Sequence, residues 1–233
     1  MSEDAQNGIG TLNENPLHAG LKEWYARPGD ALEVPVDGYV VDIVRDDLLI
    51  EIQTSGLYPI RDKLRALSRG HPVRLVFPLA KDKWLLKRRG KGKGKVKKRR
   101  SPKHCSEMDV FGELVTMPCL LAHPNFSLEL ALVEMEEVRH REPGRAWRRN
   151  GWVIEERRLV SVVNSRLFES PLQMADLLPE DMEEPFTTAD LSEKADISRN
   201  LAQKACYCLR KMGAIEHIGK RGNAYLYRLP TAA

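Results

Sequence analysis

The chain reads as an α/β module with a mixed sheet flanked by helices, followed by a smaller helical module, and three observations lead there. Val- and Ile-rich runs between residues 31 and 88 alternate with turn residues and are interleaved with amphipathic helical spacing. From Ser170 the pattern becomes helical and stays so to Gly213. The last stretch, "IEHIGKRGNAYLYRL", returns to two strands about a turn from Gly219 to Asn223. At 233 residues there is room for two modest domains.

The elements follow in order. "NENPLHAGLKEWYARPGD" sets Asn15 as cap before Pro16, spaces Leu17, Leu21 and Trp24 along a helix, and stops at Pro28-Gly29. "ALEVPVDGYVVDIV", a turn around "RDD", and "LLIEIQT" predict antiparallel strands. "SGLYPIRDKLRALSRG" puts Leu57, Ile60, Leu64 and Leu67 on one helical face and closes at Gly70. "HPVRLVFPLA" and "KWLLKRR" predict two further strands. Residues 109–123 predict a helix interrupted near Pro118; "NFSLELALVEMEEV" predicts a strand and "WRRNGWVIEERRLVSVV" a hairpin turning at Asn150-Gly151.

Charge is distributed unevenly. Residues 1–80 hold 8 Lys/Arg against 12 Asp/Glu, residues 81–103 hold 13 against 1, and the remainder 16 against 20. The net values are −4, +12 and −4. The segment 88–103 has no apolar periodicity and is Gly-rich, which predicts a flexible stretch that binds nucleic-acid phosphates, RNA as readily as DNA. The N-terminus is polar and acidic, unlike a secretory signal, and no window approaches the roughly 18 apolar residues of a membrane helix. A soluble, cytoplasmic protein is expected. Its four cysteines form no CxxC pair and read as reduced, mostly buried thiols.

The hairpin "GYVVDIVRDDLLIEIQT" carries acids inside apolar strands, where they are costly unless paired or holding a cation. Glu51 and Gln53 share a strand face. A two-residue Asp46-Asp47 turn puts Asp42 opposite Glu51, whereas an odd-numbered loop brings Asp37 to that face instead. Two carboxylates and an amide oxygen suit Mg²⁺ or Mn²⁺, which completes its shell with water and phosphate oxygens.

Helix, hairpin with Asp, then "(D/E)-x-K", helix and strand is the core of the PD-(D/E)XK nucleases, and residues 15–87 resemble it. The resemblance implies a restriction-endonuclease-like sheet. It makes Asp42 (or Asp37) and Glu51 metal ligands, and Glu23 an acidic residue near the metal. Gln53 occupies the place of the usual lysine, and Lys63 on the next helix is the substitute. Glutamine carries no charge, so an inactive scaffold is the alternative.

From Ser170, "SPLQMADLLP" predicts a short helix, "PFTTADLSEKADI" a second capped at Thr187 or Thr188, and "SRNLAQKACYCLRKMGAI" a third capped at Ser198 and ending at Gly213. With the basic-tipped hairpin this resembles a winged helix-turn-helix domain. That implies DNA contacts from Ser198, Arg199, Asn200, Gln203 and Lys204, with Lys220 and Arg221 on the wing. The expected organisation is a disordered tail over 1–14, a nuclease-like core over 15–87, the basic segment 88–103, an α/β continuation over 104–167 and the winged helix over 168–230. The expected function is Mg²⁺-dependent DNA cleavage by an endonuclease, with a catalytically inactive DNA-binding regulator as the rival. A homodimer would suit cutting both strands, though no segment specifies an interface.

Overall fold

The computed structural model describes residues 15–91 and 95–230, and the tail expected over 1–14 lies outside them. The protein is a mixed α/β fold built on one large sheet. Helix α1 (Pro16–Tyr25) is capped by the Asn15 side chain, which accepts from the Leu17 N–H. Strands β1 (Ala31–Val36), β2 (Tyr39–Arg45) and β3 (Leu48–Ile52) follow as an antiparallel meander. Helix α2 (Arg61–Leu67) then crosses to β4 (Val73–Arg88), which runs parallel to β3. Strand β5 (Lys97–Arg100) returns along β4, β6 (Phe126–Arg141) lies parallel to β4 on its other side, and β7 (Trp152–Phe168) closes the sheet antiparallel to β6. The strand order is β1-β2-β3-β4-β6-β7, with β5 paired to β4.

Three expectations need correction. The runs at 71–80 and 84–88 are one strand, because a bulge between Ala80 and Asp82 absorbs the break without ending the ladder. The basic segment is not a flexible linker throughout, since Lys97–Arg100 pairs with Trp84–Lys87. Backbone pairing on an open strand edge needs no apolar side chains, and that is why periodicity misses it. The helix expected over 109–123 is three short pieces: a 3-10 turn at Glu107–Val110, α3 (Phe111–Leu114) and a 3-10 turn at Leu120–Ala122. The region 104–167 extends the same sheet through β6 and β7.

Both faces of the near part of the sheet are covered. On one, Leu17, Leu21 and Tyr25 of α1 bury against Ile43, Ile50, Val76 and Val133. Gly20 lets α1 approach β7, because a Cβ there would meet the Leu159 Cβ at 3.1 Å. On the other face, Leu64 and Leu67 of α2, Phe111 of α3 and the C-terminal helices share one buried cluster with Leu75, Phe77, Leu128 and Leu130. Each such side chain contributes about 1.5–3 kcal/mol on burial. Strands covered on both sides read as continuous apolar runs.

The C-terminal segment holds α4 (Pro171–Ala175), α5 (Thr188–Lys194), α6 (Arg199–Met212) and a two-stranded sheet of β8 (Glu216–Arg221) and β9 (Ala224–Arg228). Thr187 and Asp190 form a capping box on α5, Ser198 caps α6, and Gly213 ends α6 at φ +84°. Ala202, Ala205, Cys206 and Cys208 face the shared core and are fully buried. Burial pushes the Cys206 and Cys208 thiols up to about 12, which leaves them inert packing groups.

Candidate functional site

The β2–β3 turn is the two-residue Asp46-Asp47 turn, with Arg45 facing Leu48. The ladder runs to Ile43 opposite Ile50, so Asp42 and Glu51 are the next residues outward on the two strands. There the strands part. The Asp42 carboxylate fills the gap, accepting the Ile52 N–H at 2.8 Å where a strand carbonyl would otherwise sit. Asp37, the alternative, lies in the β1–β2 turn at φ +48° and pairs with His71 Nε2 at 3.0 Å. It takes no part in the cluster, because the even-numbered turn fixes the register that excludes it.

Four elements converge on the two carboxylates. His18 of α1 reaches Asp42 Oδ2 at 3.2 Å. Lys63 of α2 reaches Glu51 Oε2 at 2.6 Å and also donates to the Val40 carbonyl at 2.6 Å, tying β2 to β3. The result is a row of His18, Asp42, Glu51 and Lys63, two carboxylates flanked by an imidazole and an ammonium. The seat of α1 sets the first contact. Arg45 forks onto Asp30 and donates to the Tyr25 carbonyl, while the Tyr25 hydroxyl donates to the buried Glu129. These bonds fix the C-terminal end of α1 and with it the phase that brings His18 inward.

Electrostatics separate the two acids. Burial pulls the Asp42 carboxyl up, but His18 and the Ile52 N–H outweigh it and hold the group below the usual range. Glu51 is 4% exposed. Burial raises its pKa to about 7 against the opposing Lys63 bond, and the nearby Asp42 charge adds to the rise. Its Oε1 is buried and has no hydrogen-bond partner. A carboxylate oxygen left in that state is costly.

Besides Asp37, two more of the predicted residues stand apart from the cluster. Glu23 is exposed on α1. Five residues beyond His18, it projects about 140° around the helix from it, so the helix brings His18 to the hairpin in its place. Gln53 spends both amide hydrogens on the loop, donating to the Ser55 and Gly56 carbonyls, so only its oxygen remains for other work. His18 went unpredicted; the signal was its place beside Leu17 and three residues before Leu21, the two residues that face the sheet. Among the described residues no group of three or more His, Cys, Asp or Glu forms a metal cage. The hairpin pair offers two carboxylates, and of their buried oxygens Glu51 Oε1 is the one left without a partner.

On the C-terminal segment Arg199, Asn200 and Gln203 are exposed, and Lys204 is half-buried. Arg199 and Gln203 line a cleft of about 460 Å³ with Asn223 and Tyr225 of the β8–β9 hairpin. The Ser198 hydroxyl is engaged as the α6 cap, accepting from the Leu201 N–H. Lys220 lies 5.2 Å from the Tyr225 ring centroid. Arg221 is not free for a ligand, since it pairs with Asp190 and donates to the Pro185 carbonyl. The hairpin turn is Gly222-Asn223, tighter than expected, with Gly219 at a register shift inside β8. A separate cleft of about 690 Å³, near Arg166, Met182 and Phe186, contains none of the predicted residues. No helix among the described residues is long and apolar enough to cross a membrane.

A family model described as "Domain of unknown function (DUF8091)" matches residues 15–169, which span the large sheet and stop before α4. An uncharacterized protein of Treponema pallidum (strain Nichols) is 28% identical over 222 residues, covering 94% of this chain and 87% of that protein. No solved structure matches.

Proposed function

We propose that this chain, which belongs to the DUF8091 family, is a DNA endonuclease whose Asp42–Glu51 pair takes up Mg²⁺ or Mn²⁺ to hydrolyse phosphodiesters. The observation that carries the proposal is Glu51, a buried carboxylate beside a second carboxylate, with one oxygen unpartnered and a lysine on the other. The order α1-β1-β2-β3-α2-β4 supports a PD-(D/E)XK core, with Lys63 supplying from α2 the charge that Gln53 lacks.

Asp42 and Glu51 would hold the cation, which would supply neutralising charge at the phosphate and acidity to a water. The protein's own groups do the rest. Glu51 must release its proton to bind, so binding strengthens as pH rises. His18 and the Ile52 N–H hold Asp42 in place. Lys63, anchored on the Val40 carbonyl, stays at the site to meet a phosphate oxygen. The succession α5-α6-β8-β9 supports a winged helix, with Arg199, Asn200 and Gln203 exposed to read bases.

A second reading, a catalytically inactive DNA-binding regulator, is favoured by one observation: Lys63 already neutralises Glu51, as a structural ion pair would. The test is cleavage of single-stranded, double-stranded and branched DNA with Mg²⁺ or Mn²⁺, by wild type and Glu51→Ala. Metal-dependent cutting lost in the variant is the expected result. DNA binding without cutting by wild type on any substrate would select the regulator.

A further inference from the structure

Beyond the bulge at Ala80/Asp82, strands β5, β4, β6 and β7 continue as a charged arm. Register sorts its side chains into cross-strand rows. Lys97, Lys87, Arg139 and Ile154 form one row, and Arg99, Leu85, Glu137 and Arg157 form another two residues along, on the same face. The intervening rows, on the opposite face, are Arg100, Trp84, Glu136 and Arg158, then Lys98, Leu86, Val138 and Glu156. Within these four rows the first face carries five cations and one acid, net +4, and the second three cations and two acids, net +1.

The faces also differ in pairing. On the second, Lys98 pairs with Glu136 at 2.8 Å, Arg158 with Glu156, and Arg100 with Asp82. On the first, Arg139, Arg157 and Lys83 all converge on the single Glu137 carboxylate. Lys87 lies 4.5 Å from the Trp152 ring centroid. Burial, and then the charges of Arg99 and Arg139, hold its ammonium below the usual lysine range. Lys97 and Arg99 have no ion pair among the described residues. Asp109 and Glu113 face Lys83 and Arg157 at the near end of the first face, so its positive excess lies toward Lys87, Lys97 and Arg99, where it suits a polyanion.

We propose that the face bearing Lys87, Lys97, Arg99, Arg139 and Arg157 grips the phosphate backbone of duplex DNA. The proposal deepens the nuclease reading by giving its substrate a second contact, and its choice of DNA rests on that reading. Arg88 lies 88 − 75 = 13 residues along β4 from Leu75, the partner of Glu51, which is about 40 Å at strand rise. The arm therefore holds DNA flanking the site and never the phosphate being cut.

The test measures binding of a fluorescent 30-base-pair duplex by anisotropy in EDTA from 50 to 200 mM NaCl, so that no cleavage chemistry enters. Lys97→Ala/Arg99→Ala and Lys98→Ala/Arg100→Ala alter opposite faces of the same strand, and Lys87→Gln probes the first face from β4. Thermal melts check that all are folded. The first-face variants should lose about tenfold in affinity at 100 mM salt, and the Lys97/Arg99 double variant should lower the salt slope by about 2. The second-face double variant should stay within threefold of wild type. Equal losses from both faces, or none from the first, would overturn the proposal. So would duplex RNA competing at a tenfold lower concentration than DNA. Loss of nuclease activity in a separate assay, with this pattern intact, would strike the hairpin chemistry and leave the arm standing.

Discussion

The same three strands, β4, β6 and β7, pass through two halves of the sheet that obey different rules. In the near half, helices cover both faces, and Leu75, Val76, Phe77, Leu128 and Leu130 are buried. Past the bulge, the rows hold Lys, Arg and Glu. The difference teaches where a charge is informative. In the near half, desolvating a carboxylate costs several kcal/mol unless it is compensated; Glu129 is met by Tyr25 and Arg74, whereas Glu51 stands out by its unpartnered Oε1. In the far half most charged side chains reach solvent, the buried Glu137 being met by Lys83, Arg139 and Arg157, and it is the uneven division of the charges between faces that carries information.

The contrast can be broken most forcefully in the near half. Leu75→Ala should cost about 2–5 kcal/mol by chemical denaturation, whereas Leu86→Ala, half-buried in the arm, should cost less than about 1 kcal/mol. Comparable losses would mean the arm is part of the core.

Next in size is a pH effect at Glu51. Its pKa is raised from 4.5 to about 7 on folding, so its contribution is fully present below the unfolded value and is lost as pH rises through about 7. Asp42 is shifted down and is ionised throughout that window, so it adds no slope there. Between pH 5 and 8 the metal-free protein should lose on the order of 2–3 kcal/mol from this group. Glu51→Gln should flatten that slope, and millimolar Mg²⁺ should restore stability to wild type at pH 8 but not to the variant. Thermal melts across pH give the comparison directly.

Smaller effects sharpen it. Gly213→Ala should cost about 1 kcal/mol, because φ +84° strains any residue with a Cβ. Arg100→Ala breaks an exposed pair with Asp82 and should change stability by no more than about 0.5 kcal/mol.

The hairpin was legible because its signals are local. The Asp46-Asp47 turn determines register, and register determines which acid neighbours Glu51. The caps at Asn15, Thr187 and Ser198 were legible for the same reason. The exchange of Glu23 for His18 was not, because helix phase against a sheet is set by tertiary bonds such as Arg45 to the Tyr25 carbonyl. Nor was β5, whose pairing is made of backbone and leaves no periodicity in "KKRR". The division of the arm into two faces needs partners from β6 and β7 more than forty residues away.

The central claim is that Asp42 and Glu51 hold a divalent cation, and the most direct measurement is calorimetric titration of Mn²⁺ into the metal-free protein at pH 8 and pH 6. Wild type should bind at pH 8, more weakly at pH 6 as Glu51 takes up a proton, and Glu51→Ala should not bind at either. Absence of binding by wild type, or the same binding by Glu51→Ala, would contradict the account and leave the hairpin acids as a structural ion-pair row.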